Sequence, residues 1–155
     1  MGRKQQSAGS AFEDMVLLHI HMMHPRPYYF KTYPELIWPG GVPVVVRKAQ
    51  PDLVMFWEGS AFLFDCKSTG NKGKLKARKD AIHQFDAMRF ADRAGAICFY
   101  LVEWREADTI EIFRIRYFTD WPYWCIQGEG DAFIRSGDMV GELLDQWRDN
   151  GYSRD

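Results

Sequence analysis

Two apolar runs, Leu53–Trp57 and residues 61–64, flank the pair Glu58-Gly59, and this arrangement constrains the chain more than any other feature. Both runs are rich in strand-forming residues and meet at a turn dipeptide, so the stretch 50–68 predicts a β-hairpin. A loop centred on Glu58-Gly59 sets Trp57 opposite Ser60. Counting back along both arms sets Asp52 opposite Asp65, whether the loop has two residues or four. Side chains alternate along strands, which puts Asp52, Val54, Phe56, Ala61, Leu63, Asp65 and Lys67 on one face; Leu53, Met55, Trp57, Phe62, Phe64 and Cys66 take the other.

Both faces are apolar except at one end, the pattern of a hairpin inside a sheet covered on both sides. At that end two carboxylates and one ammonium share a face. Opposed Cβ atoms lie roughly 5 Å apart, and at an effective dielectric of about 20 two unit charges at that distance repel by roughly 3 kcal/mol. Lys67 offsets part of this, and a hard divalent cation, which prefers carboxylate and carbonyl oxygens, offsets more. Neutralising Asp65 is therefore expected to leave the metal-free protein as stable or more so. The alternative is an edge hairpin with solvated acids and an incidental lysine, for which the flanking apolar runs leave little room.

The chain has 155 residues, 46% of them hydrophobic, which suits one domain over 1–155 with a sizeable core. No apolar run approaches the roughly 20 residues needed to cross a bilayer, and the polar start is followed by no secretory apolar segment, so a cytoplasmic protein is expected. Three cysteines, Cys66, Cys98 and Cys125, lack C-x-x-C spacing and read as small core residues rather than a disulfide framework or zinc knuckle. The net charge is only −1, but Lys67, Lys72, Lys74, Lys76, Arg78 and Lys79 crowd into one segment. A basic strip beside an acidic site suits a phosphodiester substrate, and a solvated charged loop is the plainer explanation.

A first helix is predicted from Ser7 or Ser10. Ser10-Ala-Phe-Glu13 has the capping-box pattern, yet Glu13 also shares a helical face with Val16, Leu17 and Ile20. On spacing alone, Glu13 as cap and Glu13 as core-facing carboxylate both stand. His19, His21 and His24 form H-x-H-x-x-H, but a spacing of two puts His19 and His21 on different helical faces, which argues against a zinc site. Residues 28–32 and 42–47 read as strands leading into the hairpin. The loop after Lys67 is rich in glycine and lysine but lacks P-loop spacing. A helix over 76–93 carries Ala81, Phe85 and Met88 on its apolar stripe, with Gly95 marking its end. Residues 96–102 read as a buried strand, 109–116 as an outer one, and 142–148 as a short final helix. The aromatic run 117–124 is either core, subunit interface or a surface for stacking bases.

Pro51-Asp52, a spacer and Asp65-Cys66-Lys67 together resemble the PD-(D/E)XK nuclease signature. Gly9-Ser-Ala-Phe-Glu13 is similar to the first-helix segment whose glutamate joins the metal site in these nucleases, which favours the functional role for Glu13. The order of parts, with a basic loop and then a helix carrying His83-Gln84 before an apolar strand, resembles the Holliday junction resolvases of the archaeal and RecU types over about 9–103. The His83-Gln84 helix with Met88 is similar to the RecU group in particular.

This resemblance implies an α/β fold with a restriction-endonuclease-like core, a central mixed β-sheet flanked by helices. The core would span about 9–116, with the aromatic segment and a C-terminal helix over 117–150. It implies that Asp52 and Asp65 hold Mg²⁺, with Mn²⁺ able to substitute. The Cys66 backbone carbonyl would be a further ligand, and Glu13 would complete the site directly or through water. Lys67 would orient the attacking water or steady charge on the phosphate, and Gln84 would position water or backbone. Lys72, Lys74, Lys76 and Arg78 would contact DNA. A homodimer acting on a four-way junction by paired nicking is expected. Most members carry glutamate at the second acid, and Asp65 is one methylene shorter. The alternatives are another endonuclease of the superfamily, acting on duplex or flapped DNA, and a DNA-binding module with a vestigial metal site, against which the full set of Glu13, Asp52, Asp65 and Lys67 argues.

Overall fold

The structure is a computed structural model that describes residues 7–32, 35–47, 51–70, 74–76, 82–115, 125–127 and 130–151. In chain order its elements are α1 (Ala8–His21), β1 (Tyr28–Lys31), β2 (Glu35–Ile37), β3 (Val44–Arg47), β4 (Leu53–Trp57), β5 (Ser60–Thr69) and β6 (Lys74–Lys76). There follow α2 (Ile82–Arg93), β7 (Ile97–Trp104), β8 (Thr109–Arg114), β9 (Cys125–Gln127), β10 (Ala132–Arg135) and α3 (Val140–Asp149).

The hairpin forms in the expected register: β4 and β5 pair antiparallel from Leu53 opposite Phe64 to Trp57 opposite Ser60. Glu58 and Gly59 have φ of 52° and 77°, the left-handed conformations that a two-residue turn matching the strand twist requires. Around this hairpin the main sheet takes the order β1-β4-β5-β7-β8-β10. Its pairs are antiparallel except β5 with β7, which run parallel. Parallel neighbours need a crossover, and α2 supplies it. The result is the α/β architecture with a mixed sheet flanked by helices.

One face of the sheet is covered by α1 and α3. Phe12, Val16 and Ile20, four residues apart, bury one stripe of α1 against Leu53, Met55, Phe62 and Phe64. Phe99 sits at the centre, stacked on Phe64 with ring centroids 4.8 Å apart and edge-on to Trp147 of α3 at 4.9 Å. The other face carries a second core, in which Phe85 and Met88 of α2 lie over Cys98, Tyr100, Val102 and Trp104. No residue of β1 or β4 joins that second core.

Several expected elements differ. Only β1 of the two strands read before the hairpin enters the main sheet; β3 pairs with β2 in a separate ribbon. β8 is not an outer strand, because β10 pairs beyond it. Four residues, Ala-Phe-Ile-Arg, carry too little alternation to reveal β10 from sequence. Glu111 is buried there and accepts a hydrogen bond from the Gly130 amide at 2.8 Å, while the Arg114 amide donates to Asp131 at 3.2 Å. Lys74–Lys76 pairs with β9 rather than opening a helix. Ser7, not Ser10, caps α1, its hydroxyl accepting from the Ser10 amide at 3.2 Å. The Ser10–Glu13 capping box is therefore not used.

His19 Nδ1 accepts from the Val140 amide at 3.0 Å, whereas His21 Nδ1 meets the Tyr29 hydroxyl at 2.6 Å. The histidines thus serve different structural contacts. Cys66 and Cys98 are buried and free. Among the described residues no helix is long and apolar enough to cross a membrane. The aromatic run 117–124 lies outside the described residues.

Candidate functional site

Where the β4–β5 ladder ends, the two acids take over the pairing. The Cys66 amide donates to Asp52 Oδ2 at 3.0 Å, and the Asp52 amide donates to Asp65 Oδ1 at 3.2 Å. Each carboxylate thus accepts from a backbone N–H of the opposite arm, as expected of residues facing each other at a fraying strand end. The β1 side fixes Asp52 from behind: the Thr32 amide donates to the Asp52 carbonyl at 2.9 Å, and the Thr32 hydroxyl donates to the Pro51 carbonyl.

Asp65 is fully buried and is the hub of a polar ring. Lys67 Nζ lies 2.6 Å from Asp65 Oδ2. Gln84 Nε2 donates to Asp65 Oδ1 at 2.5 Å, and Lys67 Nζ donates to Gln84 Oε1 at 3.1 Å. Gln84 reaches the strand pair from the first turn of α2 and is itself buried. The ring holds the three side chains in one arrangement, since moving any one leaves a buried polar group of another unpaired.

Burial and the neighbouring acid both act on Asp52. Burial, then the Asp65 charge and a side-chain hydrogen bond to Asp65, push Asp52 up to about 7. The Cys66 amide and Lys67 pull it the other way. The donors converge on Asp65, so this geometry keeps the shared proton on Asp52. Burial and then the carboxylates of Asp52, Asp65 and Glu13 push the Cys66 thiol well up, which leaves it an inert core group on the α1 side.

Tyr100 is a neighbour that sequence reasoning missed. It pairs with Asp65 across the parallel β5–β7 register and is fully buried, and burial followed by the Asp65 charge pushes its phenol well up. A parallel register is set by the crossover rather than by local pattern, so no signal in the sequence places Tyr100 there.

Of the expected site residues, Asp52, Asp65, Lys67 and Gln84 come together, with Cys66 between the second acid and the lysine. Glu13 faces β1, where its Oε1 lies 2.7 Å from Lys31 Nζ. Among the described residues no group of three or more His, Cys, Asp or Glu stands close enough to hold a metal ion. Lys72 and Arg78 lie outside the described residues, as do the side chains of Lys74 and Lys76, whose backbone forms β6. The acidic pair still fits a hard divalent cation. Two carboxylates forced close enough to retain a proton near neutral pH form an all-oxygen donor set whose excess charge such an ion relieves.

No family model and no curated protein matches the sequence. Among solved structures the chain is similar to Hjc of Archaeoglobus fulgidus, a Holliday junction resolvase from an archaeal hyperthermophile, with a TM-score of 0.55 and 15% identity. The likeness covers 77% of this chain and 88% of that one. At that identity it is a likeness of fold: the mixed sheet with its helices resembles the restriction-endonuclease-like fold of Hjc.

Proposed function

We propose that this protein is a metal-dependent, structure-selective endodeoxyribonuclease that resolves four-way DNA junctions by paired phosphodiester hydrolysis. The observation that carries the proposal is the Asp52–Asp65 pair, half-buried at Asp52 and fully buried at Asp65, with Lys67 and Gln84 closed on Asp65, seated at the end of a hairpin in an Hjc-like fold. Asp52, Asp65 and the Cys66 carbonyl would hold Mg²⁺ or Mn²⁺. Glu13 could join, directly or through water, after exchanging its contact with Lys31. A cation bound there would lower the pKa of a water molecule and stabilise charge developing on the phosphate.

The chain's own residues do the remaining work. Asp52 must release its proton, so the site is prepared for cation binding as pH rises past about 7. Lys67 presents an ammonium beside the acids, oriented by Gln84, where it can donate to a phosphate oxygen or to the attacking water. That water adds to phosphorus, the bond to the leaving oxygen breaks, and the leaving oxygen takes up a proton. Lys72, Lys74, Lys76 and Arg78 would bind the phosphate backbone, supplying affinity rather than chemistry. A homodimer would present two such sites to one junction.

A second reading, a DNA-binding module without activity, is favoured by Glu13 resting on Lys31. A labelled four-way junction incubated beside its linear duplex arms, with Mg²⁺ or Mn²⁺, separates the two. Paired nicks in the junction alone support the resolvase. Cleavage of both substrates supports a less selective nuclease, and binding without cleavage of either supports the module.

A further inference from the structure

Among the described residues, helices cover only part of the sheet face that carries the acids. α2 lies over β5 and β7, while on β1 and β4 that face carries Tyr28, Phe30, Val54 and Phe56. Tyr28 is opposite Phe56 and Phe30 opposite Val54. The three aromatic residues are 70%, 44% and 47% exposed. Their rings group together, with centroids 6.3 Å apart for Tyr28 and Phe30 and 6.1 Å for Tyr28 and Phe56. Asp52, immediately before β4, continues the same face, two residues from Val54 and four from Phe56.

We infer that Tyr28, Phe30 and Phe56 form a platform on which unpaired nucleobases next to the scissile phosphate stack. The inference rests on the nuclease proposal above and specifies which part of the substrate lies on this face. Three observations select this occupant. The strip is continuous with the acids, so whatever places a phosphate at Asp52 and Asp65 must extend its neighbouring groups either onto this strip or away from the sheet. The spacing suits nucleotides: at roughly 3.3 Å per residue, the Phe30–Val54 step lies about 7 Å from Asp52 and the Tyr28–Phe56 step about 13 Å, comparable to one and two nucleotides. The surface consists of three exposed aromatic side chains beside one half-buried valine, and aromatic rings accept any base.

A second copy of this chain fits less well. At about 200 Å² per aromatic residue, these exposures leave on the order of 320 Å² of the three residues in solvent, well below the roughly 800 Å² per partner of a stable interface. The face is also interrupted at one end by the polar groups of the acidic pair and Lys67.

The test compares the wild type with Tyr28→Ala/Phe56→Ala by fluorescence anisotropy in EDTA. One probe is a forked duplex with unpaired thymines at the branch, and the other is a fully paired duplex of equal length. The double variant is expected to lose about 5- to 100-fold in affinity for the fork and less than about twofold for the duplex. Tyr28→Trp, which keeps a ring face, is expected to retain the fork preference and guards against a folding defect. Equal losses on both probes, or none on either, would overturn the platform. So would a variant that keeps fork binding but sediments as a monomer where the wild type is a dimer, since a second copy would then cover the face. A wild type that binds neither DNA would sink the nuclease proposal itself, and the platform with it.

Discussion

Replacing Asp52 by asparagine is expected to stabilise the metal-free protein above neutral pH while removing the chemistry. In the folded protein Asp52 is pushed from 3.8 to about 7. A raised carboxyl contributes stability that is fully present below its unfolded value and is lost as pH rises through the folded one. Between pH 4 and 7 the folded state holds a proton that the unfolded chain has released, so metal-free stability falls over this window. Three units correspond to roughly 4 kcal/mol, and the partial exposure of Asp52 reduces this to about 2–4 kcal/mol. Asparagine reproduces the protonated carboxyl: its carbonyl can accept from the Cys66 amide and its amide can donate to Asp65. In EDTA at pH 8 the variant should therefore melt on the order of 5–10 °C above the wild type, and its stability should not fall between pH 5 and 8. Asp65→Asn should behave oppositely, because it takes the counter-ion from Lys67 and disturbs the hydrogen bonds to Gln84. The register alone suggested that neutralising Asp65 would relieve the pair; the donors gathered around Asp65 transfer that expectation to Asp52. Thermal melts of both variants at pH 5 and pH 8 decide it. A wild type whose stability is flat across that range, or an Asp52→Asn protein less stable than wild type at pH 8, would refute the shared proton.

Three further outcomes are expected. Lys67→Met should lower junction cleavage by about 10²–10³ while leaving junction affinity within several-fold, measured by single-turnover cleavage and by anisotropy in EDTA. Neutralising Lys72 and Lys74 together should reduce the slope of log affinity against log salt by up to about two, and an unchanged slope would make the segment a solvated face. Phe99→Ala removes a ring held between Phe64 and Trp147 and should cost about 3–5 kcal/mol in denaturant unfolding.

The hairpin was legible because its determinants are local: alternating apolar residues on both arms, a turn pair able to adopt positive φ, and a side-chain period of two that fixes which residues oppose. From these alone Asp52 and Asp65 could be set face to face, and Lys67 on their side. Gln84 was found only through the resemblance, since a long crossover separates it from the strands. Two features were hidden. The position of Glu13 depends on the cap at Ser7 and on Lys31 in a neighbouring strand, neither of which the helical spacing reveals. The outer strand β10 joins from the far end of the chain, so the apparent edge at β8 proved to be interior.

The most direct test of the account is the cleavage of a four-way junction by wild type and Asp52→Asn side by side, with Mg²⁺ and with Mn²⁺. The wild type is expected to make paired nicks with either ion, and the variant to cleave nothing although it binds the junction within several-fold of wild-type affinity. A variant that cleaves as fast as the wild type, or a wild type inert on every branched and linear substrate with both ions, would contradict it.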